Sequence, residues 1–397
     1  MDTSNPMTDN VLKKTKFKAR LIALSIMLAL ILILSLIKRI EWVAEYVFAR
    51  GISRAYAYVI GNVTSILPIS VFEIFIYAAI ITGIVFIVLI IKNLIKKRWI
   101  KLASSSLTVT IIVISVLLLY TVTASMNYYR APVVLDMYDG GVDSDDYLSI
   151  GEYFLNDFNN LAASFERDED NNIISPYTDR ELAKIMREEF ARLESSYYNS
   201  YVPLAKPILL SKFLSVNSLM GISFAPTAEP NINKDMPVCQ KPFTMAHEIA
   251  HSLGVMRENE ANLIASYITL TSKNDLIRYS GYLDTFYQIP SMIYWGVGSD
   301  AYSSFYEEFS PLIGIDRGIC TEFWGSYSSF MNKISSFFND IYLKLQGVDE
   351  GTGSYSGSYN YDIIDTGEIN DEGQPVFEIV FSDVQKLYLL IYFDNLI

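Results

Sequence analysis

The chain has 397 residues, of which 51% are hydrophobic, and a mean hydropathy of +0.24, too apolar for an ordinary soluble globular protein of this size. Residues 1–130 carry 15 Lys/Arg against 5 Asp/Glu, whereas residues 131–397 carry 16 against 39. A basic apolar anchor followed by an acidic domain large enough for a buried core is the implied organisation. That acidity argues against nucleic acid or anionic lipid surfaces as partners of the domain.

Three charge-free apolar runs stand in the first part: Leu21–Ile37, Ile74–Ile91 and Leu102–Tyr129. Spans are expected at about 21–37, 71–91 and 103–124, each within the range that crosses a bilayer. Lys38 and Arg39 follow the first run with no small-residue cleavage site before them, which reads as an uncleaved anchor rather than a signal peptide. Lys13, Lys14, Lys16, Lys18 and Arg20 precede that run, and Lys92, Lys96, Lys97, Arg98 and Lys101 lie between the second and third. Basic flanks mark the cytoplasmic side. The expected topology in the cell membrane is therefore N-terminus inside and residues 131–397 outside. The first outer loop, with Trp42, Tyr46, Tyr56 and Tyr58 among charges and apolar residues, reads as an interfacial helix.

Beyond Arg130 the pattern turns helical. Ser144 and Asp145 open a helix to about Phe165, and Thr178-Asp179-Arg180-Glu181 is a capping box for a helix to about Tyr198. Short β segments are expected between Pro207 and Ala225, notably Leu219–Ala225. Helices are expected from about Phe243 to Leu253, where Gly254 is a stop, and at 258–272, 275–288 and 320–346. The Gly/Ser/Tyr-rich stretch 351–361 reads as a flexible loop, with a lid over a cleft as the rival reading. Residues 383–393 fit a helix or a strand. The domain is thus mainly α with a small sheet.

The only two histidines, His247 and His251, stand four apart in His247-Glu248-Ile249-Ala250-His251. On a helix both imidazoles face one way and can reach one ion, while Glu248 lies where it can take a proton from a water that the ion activates. Two imidazoles and a carboxylate suit Zn2+. With no further histidine, the third ligand is a carboxylate or cysteine. Glu258 is preferred, with Glu260 as the alternative, because a helix broken at Gly254 and restarted puts Glu258, Ala261, Asn262 and Ala265 on one face. The alanines permit close approach, and Asn262 can hold a ligand from behind. An intramembrane protease is a poor reading, since Lys234, Asp235, Lys241, Arg257 and Glu258 surround the motif. Cys239 and Cys320, with no Cys-x-x-Cys pair, make neither a zinc finger nor a thioredoxin-type site. A disulfide between them and two buried free thiols both remain open.

The segment Glu258-x-x-Ala261-Asn262 resembles the third-ligand segment of gluzincin-like metallopeptidases, including the membrane-bound CAAX-processing and repressor-cleaving types. A wider set is similar to the domain-of-unknown-function 3810 family, bacterial membrane proteins with a His-Glu-x-x-His motif. It comprises Pro68-Ile69-Ser70, Asn127-Tyr128-Tyr129-Arg130, Pro226-Thr227-Ala228-Glu229-Pro230-Asn231-Ile232-Asn233, Pro242-Phe243-Thr244-Met245, Glu258–Asn262 and Tyr279-Ser280-Gly281-Tyr282-Leu283. Ala228 departs from it, standing where the family's Thr-Gly-Glu has glycine. Together these resemblances imply a three-span anchor and a gluzincin-like α+β zinc metallopeptidase domain. The expected function is peptide-bond hydrolysis outside the cell membrane, on a peptide or protein substrate. A catalytically silent zinc-containing receptor for a peptide or cell-wall fragment is the alternative.

Overall fold

A computed structural model describes residues 6–191, 193, 202–327, 330–369 and 375–394. The chain divides into two compact units, Met1–Ala131 with Ala225–Ala228, and Pro132–Phe224 with Glu229–Ile397. Most of it is helical, with two small sheets.

In the first unit three helical stretches are long and apolar enough to cross a membrane: Thr15–Ile37, Val71–Ile95 and Trp99–Tyr129. All three expected spans fall inside them. Leucine and isoleucine dominate these stretches, and their side chains lie on the surface, Leu32 and Ile81 among them. Backbone groups hidden from water must bond within their own segment, which is why such stretches are helical. The first helix starts at Pro6, because the lysines before the apolar run favour a helix as well. Arg20 Nη1 ties the first helix to the third through Ser104 Oγ and Thr108 Oγ1, both at 3.2 Å. Ser70 caps the second, its hydroxyl accepting from the Glu73 amide at 3.1 Å.

The connector expected to be an interfacial helix is less simple. Val43–Ile52 is a π-helix that runs on into the α-helix Ser53–Ile66. Trp42, Tyr46 and Tyr58 are exposed, but Glu45 is buried and pairs with Arg130 at 3.0 Å and Arg50 at 2.5 Å. The Ala225–Ala228 turn belongs to this unit through bonds from Tyr56 Oη to the Pro226 carbonyl (2.6 Å) and from Thr64 Oγ1 to the Thr227 carbonyl (3.3 Å). Ala228 has φ +50°, a left-handed conformation that suits glycine. The family resemblance places a glycine there.

In the second unit helices Ser144–Ser164, Asp179–Ala191, Lys241–Ser252, Glu258–Leu270, Asp275–Asp284 and Asp383–Asp394 share one core, with Ile249, Ile264, Tyr279 and Leu387 fully enclosed. The capping box forms as expected. The Thr178 amide donates to Glu181 Oε2 (2.9 Å) and the Glu181 amide donates to Thr178 Oγ1 (3.3 Å). The expected continuation of that helix toward Tyr198 lies outside the described residues. The helix expected over 320–346 is instead two: Pro311–Ser326, started by proline in its first turn, and Phe330–Leu345. The stretch expected at 275–288 also divides, into Asp275–Asp284 and a new helix at Gln288–Gly296.

The small sheet has order β1-β3-β2, with β1 (Lys206–Ile208) parallel and β2 (Gly221–Phe224) antiparallel to β3 (Glu229–Asn233). β3 is polar yet wholly buried, so each polar side chain needs a partner. Lys206 Nζ meets Glu229 Oε1 at 2.5 Å, and the Asn233 amide donates to Ser215 Oγ at 2.8 Å. The Asn231 amide donates to the Ile222 and Glu229 carbonyls at 3.2 and 3.0 Å. Pro230 stands opposite Ser223, a pairing whose backbone groups turn away from the partner strand, so its missing N–H costs β2 nothing. A second sheet, the hairpin of β4 (Asp362–Ile369) and β5 (Pro375–Val380), has no counterpart in the sequence-based expectation.

Candidate metal centre

His247 and His251 project from the helix Lys241–Ser252, whose Ala246, Ile249 and Ala250 are fully buried and fix its rotation. The helix ends in a Schellman turn: Gly254 has φ +92°, its amide donates to the His251 carbonyl (2.9 Å), and Val255 N donates to the Ala250 carbonyl (3.1 Å). That reversal sends the chain into the helix Glu258–Leu270, packed back on the first through Ala261 and Ala265, both fully buried. Glu258 thereby comes to both histidines. Its Oε2 is 3.2 Å from His247 Nε2 and 3.3 Å from His251 Nε2. The two Nε2 atoms are 2.9 Å apart, with the rings perpendicular.

These separations fit a metal. Ligand atoms about 2.0–2.1 Å from a tetrahedral zinc stand about 3.3 Å from one another. His251 Nδ1 is 2.6 Å from the Val255 carbonyl, the kind of outer partner that leaves Nε2 to face an ion. Two imidazole nitrogens this close cannot both present lone pairs unless a proton or cation lies between them. His247, His251 and Glu258 form the candidate ligand group among the described residues. Glu260 turns elsewhere, pairing with Arg257 Nη1 at 2.7 Å.

Electrostatics follow from this crowding. Burial alone lowers His251, but the Glu258 carboxylate outweighs it and pushes the ring up to about 9. Burial also favours neutral Glu258, yet the two histidines hold its carboxyl well below the usual carboxylate range. Glu248 is buried, which raises its carboxyl to about 7 against the pull of His247 and His251. Its Oε2 has no hydrogen-bond partner among the described residues, and the Ser223 backbone amide bonds the carboxylate.

β2 runs directly beside Glu248. A Cβ at Gly221 would stand 2.6 Å from both Glu248 Cγ and Oε1. Asn233 N donates to the Met220 carbonyl, which makes the 221 and 223 positions those whose backbone groups point away from β3 and toward the site. Nothing in the sequence singles out glycine at 221; only the packing reveals its role.

The stretch 351–361 is not a flexible loop but is mostly a 3-10 helix, Gly351–Tyr359, packed on the Glu258–Leu270 helix. Asn262, expected to steady a ligand directly, donates its amide to the Tyr355 carbonyl at 2.7 Å. The Glu258 carboxylate is one cause of the raised pKa of the Tyr355 phenol, after burial. Tyr359 Oη donates to Asp284 Oδ2 at 2.7 Å. Asp284 itself is exposed to water. Sequence reasoning misses Tyr355, Tyr359 and Asp284. The one available signal is the four-residue spacing of two tyrosines in a glycine-rich segment.

Away from this centre, Cys239 Sγ and Cys320 Sγ lie 3.5 Å apart as free thiols. Beside them Asp316 is buried, bonded by Tyr279 and paired with Arg167 at 2.7 Å.

Fold and site together define a mostly helical protein with three helices capable of crossing a membrane and a His-His-Glu cluster in its larger unit. The chain belongs to the family described as "Protein of unknown function (DUF3810)", which matches residues 48–361. Neither curated proteins nor solved structures include a match.

Proposed function

We propose that this protein is a membrane-anchored, zinc-dependent peptidase acting outside the cell membrane. The observation that carries this reading is Glu248. It is a buried carboxyl poised near 7, with one oxygen unpartnered, placed between a His-His-Glu cluster and the edge of a strand. A solvated surface charge has none of those properties, and perturbed carboxyls of this kind concentrate at reactive sites.

His247, His251 and Glu258 would hold the zinc, which supplies a Lewis acid for the scissile carbonyl and lowers the pKa of a water. Glu248 would take that water's proton and return it to the leaving amine, with one carboxylate oxygen that no other described residue engages. The Ser223 amide steadies the carboxylate as it ionises. The outward edge of β2, through the Gly221 backbone and the Ser223 carbonyl, would pair with an extended peptide backbone, adding a strand beside the site. The same reading places the N-terminus inside the cell and Pro132–Ile397 outside, from the basic flanks of the spans.

Detergent-purified full-length protein should contain about one equivalent of zinc, and His247→Ala or His251→Ala should abolish it. Incubation with a peptide library should give chelator-sensitive cleavage that Glu248→Gln eliminates while the zinc is retained. Zinc-dependent peptide binding without cleavage would replace the peptidase reading with that of a receptor. Intact zinc in both histidine variants would remove the site altogether. Protease protection in intact cells tests the orientation, with digestion of the 132–397 region as the expected result.

A further inference from the structure

The helix Phe330–Leu345 carries its apolar residues on the side away from its own domain. It is held to the domain by Asn339, Asp340 and Leu343. Asn339 Nδ2 donates to Tyr355 Oη at 3.3 Å, the Thr352 amide donates to Asp340 Oδ1 at 3.1 Å, and Leu343 is fully enclosed. At about 100° per residue these three share one face, and Met331, Ile334, Phe338, Ile341 and Leu345 share the opposite one. Four of those five are exposed, Phe338 by 63% and Leu345 by 73%, and Phe337 beside them is 60% exposed.

The five are spaced 3-4-3-4 along the chain. That is the seam by which one helix meets another, narrower than the stripe a helix turns toward a broad surface. Charge points to what covers it. Residues 131–397 hold 39 Asp/Glu against 16 Lys/Arg, so two such domains repel over most of their surface. Within this helix stand Lys333, Lys344 and a single acid, Asp340, which is committed to the Thr352 amide and to Lys344 Nζ at 2.8 Å. Two copies therefore meet here without opposing carboxylates, whereas anionic headgroups would repel the domain around the helix.

The seam uncovers on the order of 500 Å2, taking about 150–250 Å2 for a whole aromatic side chain. The largest apolar patch on a monomer is about 300–600 Å2, and a standard interface takes about 800 Å2 from each partner. The seam is large enough to mark a docking surface and too small for a tight complex in solution. Copies held in one bilayer by the three apolar helices need less, because anchoring raises their effective concentration.

We propose that the helix Phe330–Leu345 is a self-association seam, on which a second copy of this chain docks about a two-fold axis in the membrane. Phe338 is the middle of the five, so it meets its own counterpart whether the paired helices run parallel or antiparallel. The proposal needs the membrane anchoring and is independent of the metal.

The test is cysteine cross-linking of full-length protein in membranes, oxidised with copper–phenanthroline. Phe338→Cys and Ser336→Cys are each combined with Cys320→Ser, which leaves only the buried Cys239 as a native thiol. Ser336 is exposed but lies across the helix from the seam, a further helix diameter of about 10 Å from the axis. A disulfide needs Cα atoms within about 7 Å, so Phe338→Cys should give at least about tenfold more cross-linked dimer than Ser336→Cys. Adding Leu345→Glu to Phe338→Cys should cut the yield about tenfold, through a carboxylate that pairing would bury. The thermal melt should not move, because Leu345 is on the surface. Equal yields from the two cysteine variants, or no dimer from either, would overturn the proposal. A fluorophore on the cysteine introduced by Phe338→Cys that is quenched by nitroxide-bearing lipid, without cross-linking, would also overturn it and assign the face to the bilayer.

Discussion

Gly221→Ala is a sharp test of the site, because it adds one methyl group and touches no proposed ligand. The new Cβ would stand 2.6 Å from Glu248 Cγ and Oε1 and 2.8 Å from the Asn231 carbonyl. Ordinary carbon contacts are about 3.5–4.0 Å, so roughly 1 Å of displacement is required on each side. Asn231 is fully buried, with its amide bonded to two carbonyls, and cannot yield. Glu248, with one oxygen unpartnered, is the group that moves. Overpacking of this kind costs about 1–3 kcal/mol of stability. A 1 Å misplacement of a reacting group costs about 100-fold in rate. Zinc content should remain at one equivalent, since the three atoms nearest the new methyl belong to Glu248 and Asn231 and not to a ligand. The assay is chelator-sensitive turnover of a cleaved library peptide, alongside zinc analysis and a thermal melt. Wild-type turnover by a folded Gly221→Ala protein would refute the placement of Glu248 as the base.

Glu258→Ala should lower zinc affinity by orders of magnitude, whereas Glu260→Ala, which breaks the Arg257 pair, should cost at most about 10–100-fold; chelator competition reads both, and the reverse order would move the ligand assignment to Glu260. Because burial is outweighed by Glu258 and His251 rises to about 9 in the metal-free protein, zinc must displace that proton at pH 7, so apparent affinity should climb about tenfold per unit between pH 7 and 9. The sign reverses for the metal-free fold: a raised histidine pKa stabilises at low pH, and that contribution fades as pH rises through about 9, visible as a falling melting midpoint. Ala228→Gly should stabilise by about 1 kcal/mol, because alanine at φ +50° is strained; an unchanged or lower midpoint would contradict this. Mild oxidation should join Cys239 and Cys320, whose sulfurs are 3.5 Å apart, closing a loop worth about 4 kcal/mol and raising the midpoint reversibly; two thiols still titratable after oxidation would exclude it.

The ligand group is legible in the sequence because its determinants are local. Four-residue spacing places His247 and His251 on one helix face, and Gly254 permits the left-handed residue that reverses the chain toward Glu258. The three long apolar helices and the Thr178–Glu181 cap are readable for similar reasons. The hidden parts depend on tertiary partners. β3 looks like a loop in the sequence, with Glu229, Pro230, Asn231 and Asn233, and becomes a strand because Lys206, Ser215 and the Ile222 carbonyl engage its side chains, leaving Asn231 Oδ1 without a partner among the described residues. The helix Asp383–Asp394 is distinguishable from a strand by its cap. Ser382 and Gln385 bond reciprocally, each backbone amide to the other's side chain at 3.0 Å, a pattern that periodicity alone overlooks. The Gly351–Tyr359 turn reads as flexible because glycine and serine permit disorder; here the glycines allow close contact with Asn259 and Asp340 instead.

The π-helix Val43–Ile52 has a consequence for the permissible length of the chain. Connectors between helices ordinarily accept the gain or loss of a residue, since their backbone is paired with water. This one is wound wider than an α-helix and continues without a break into Ser53–Ile66. Deleting one residue between Glu45 and Arg50 while the stretch keeps its wide winding would turn everything downstream by roughly 80–100° about the axis. Arg50 would then leave the face that Glu45 occupies, and their 2.5 Å pair would be lost. A buried carboxylate deprived of its partner costs about 3–5 kcal/mol. Substitutions at the exposed Tyr46 should be tolerated where the removal of any single neighbour is not, so the segment behaves as a spacer of fixed count within the connection between the first two apolar helices.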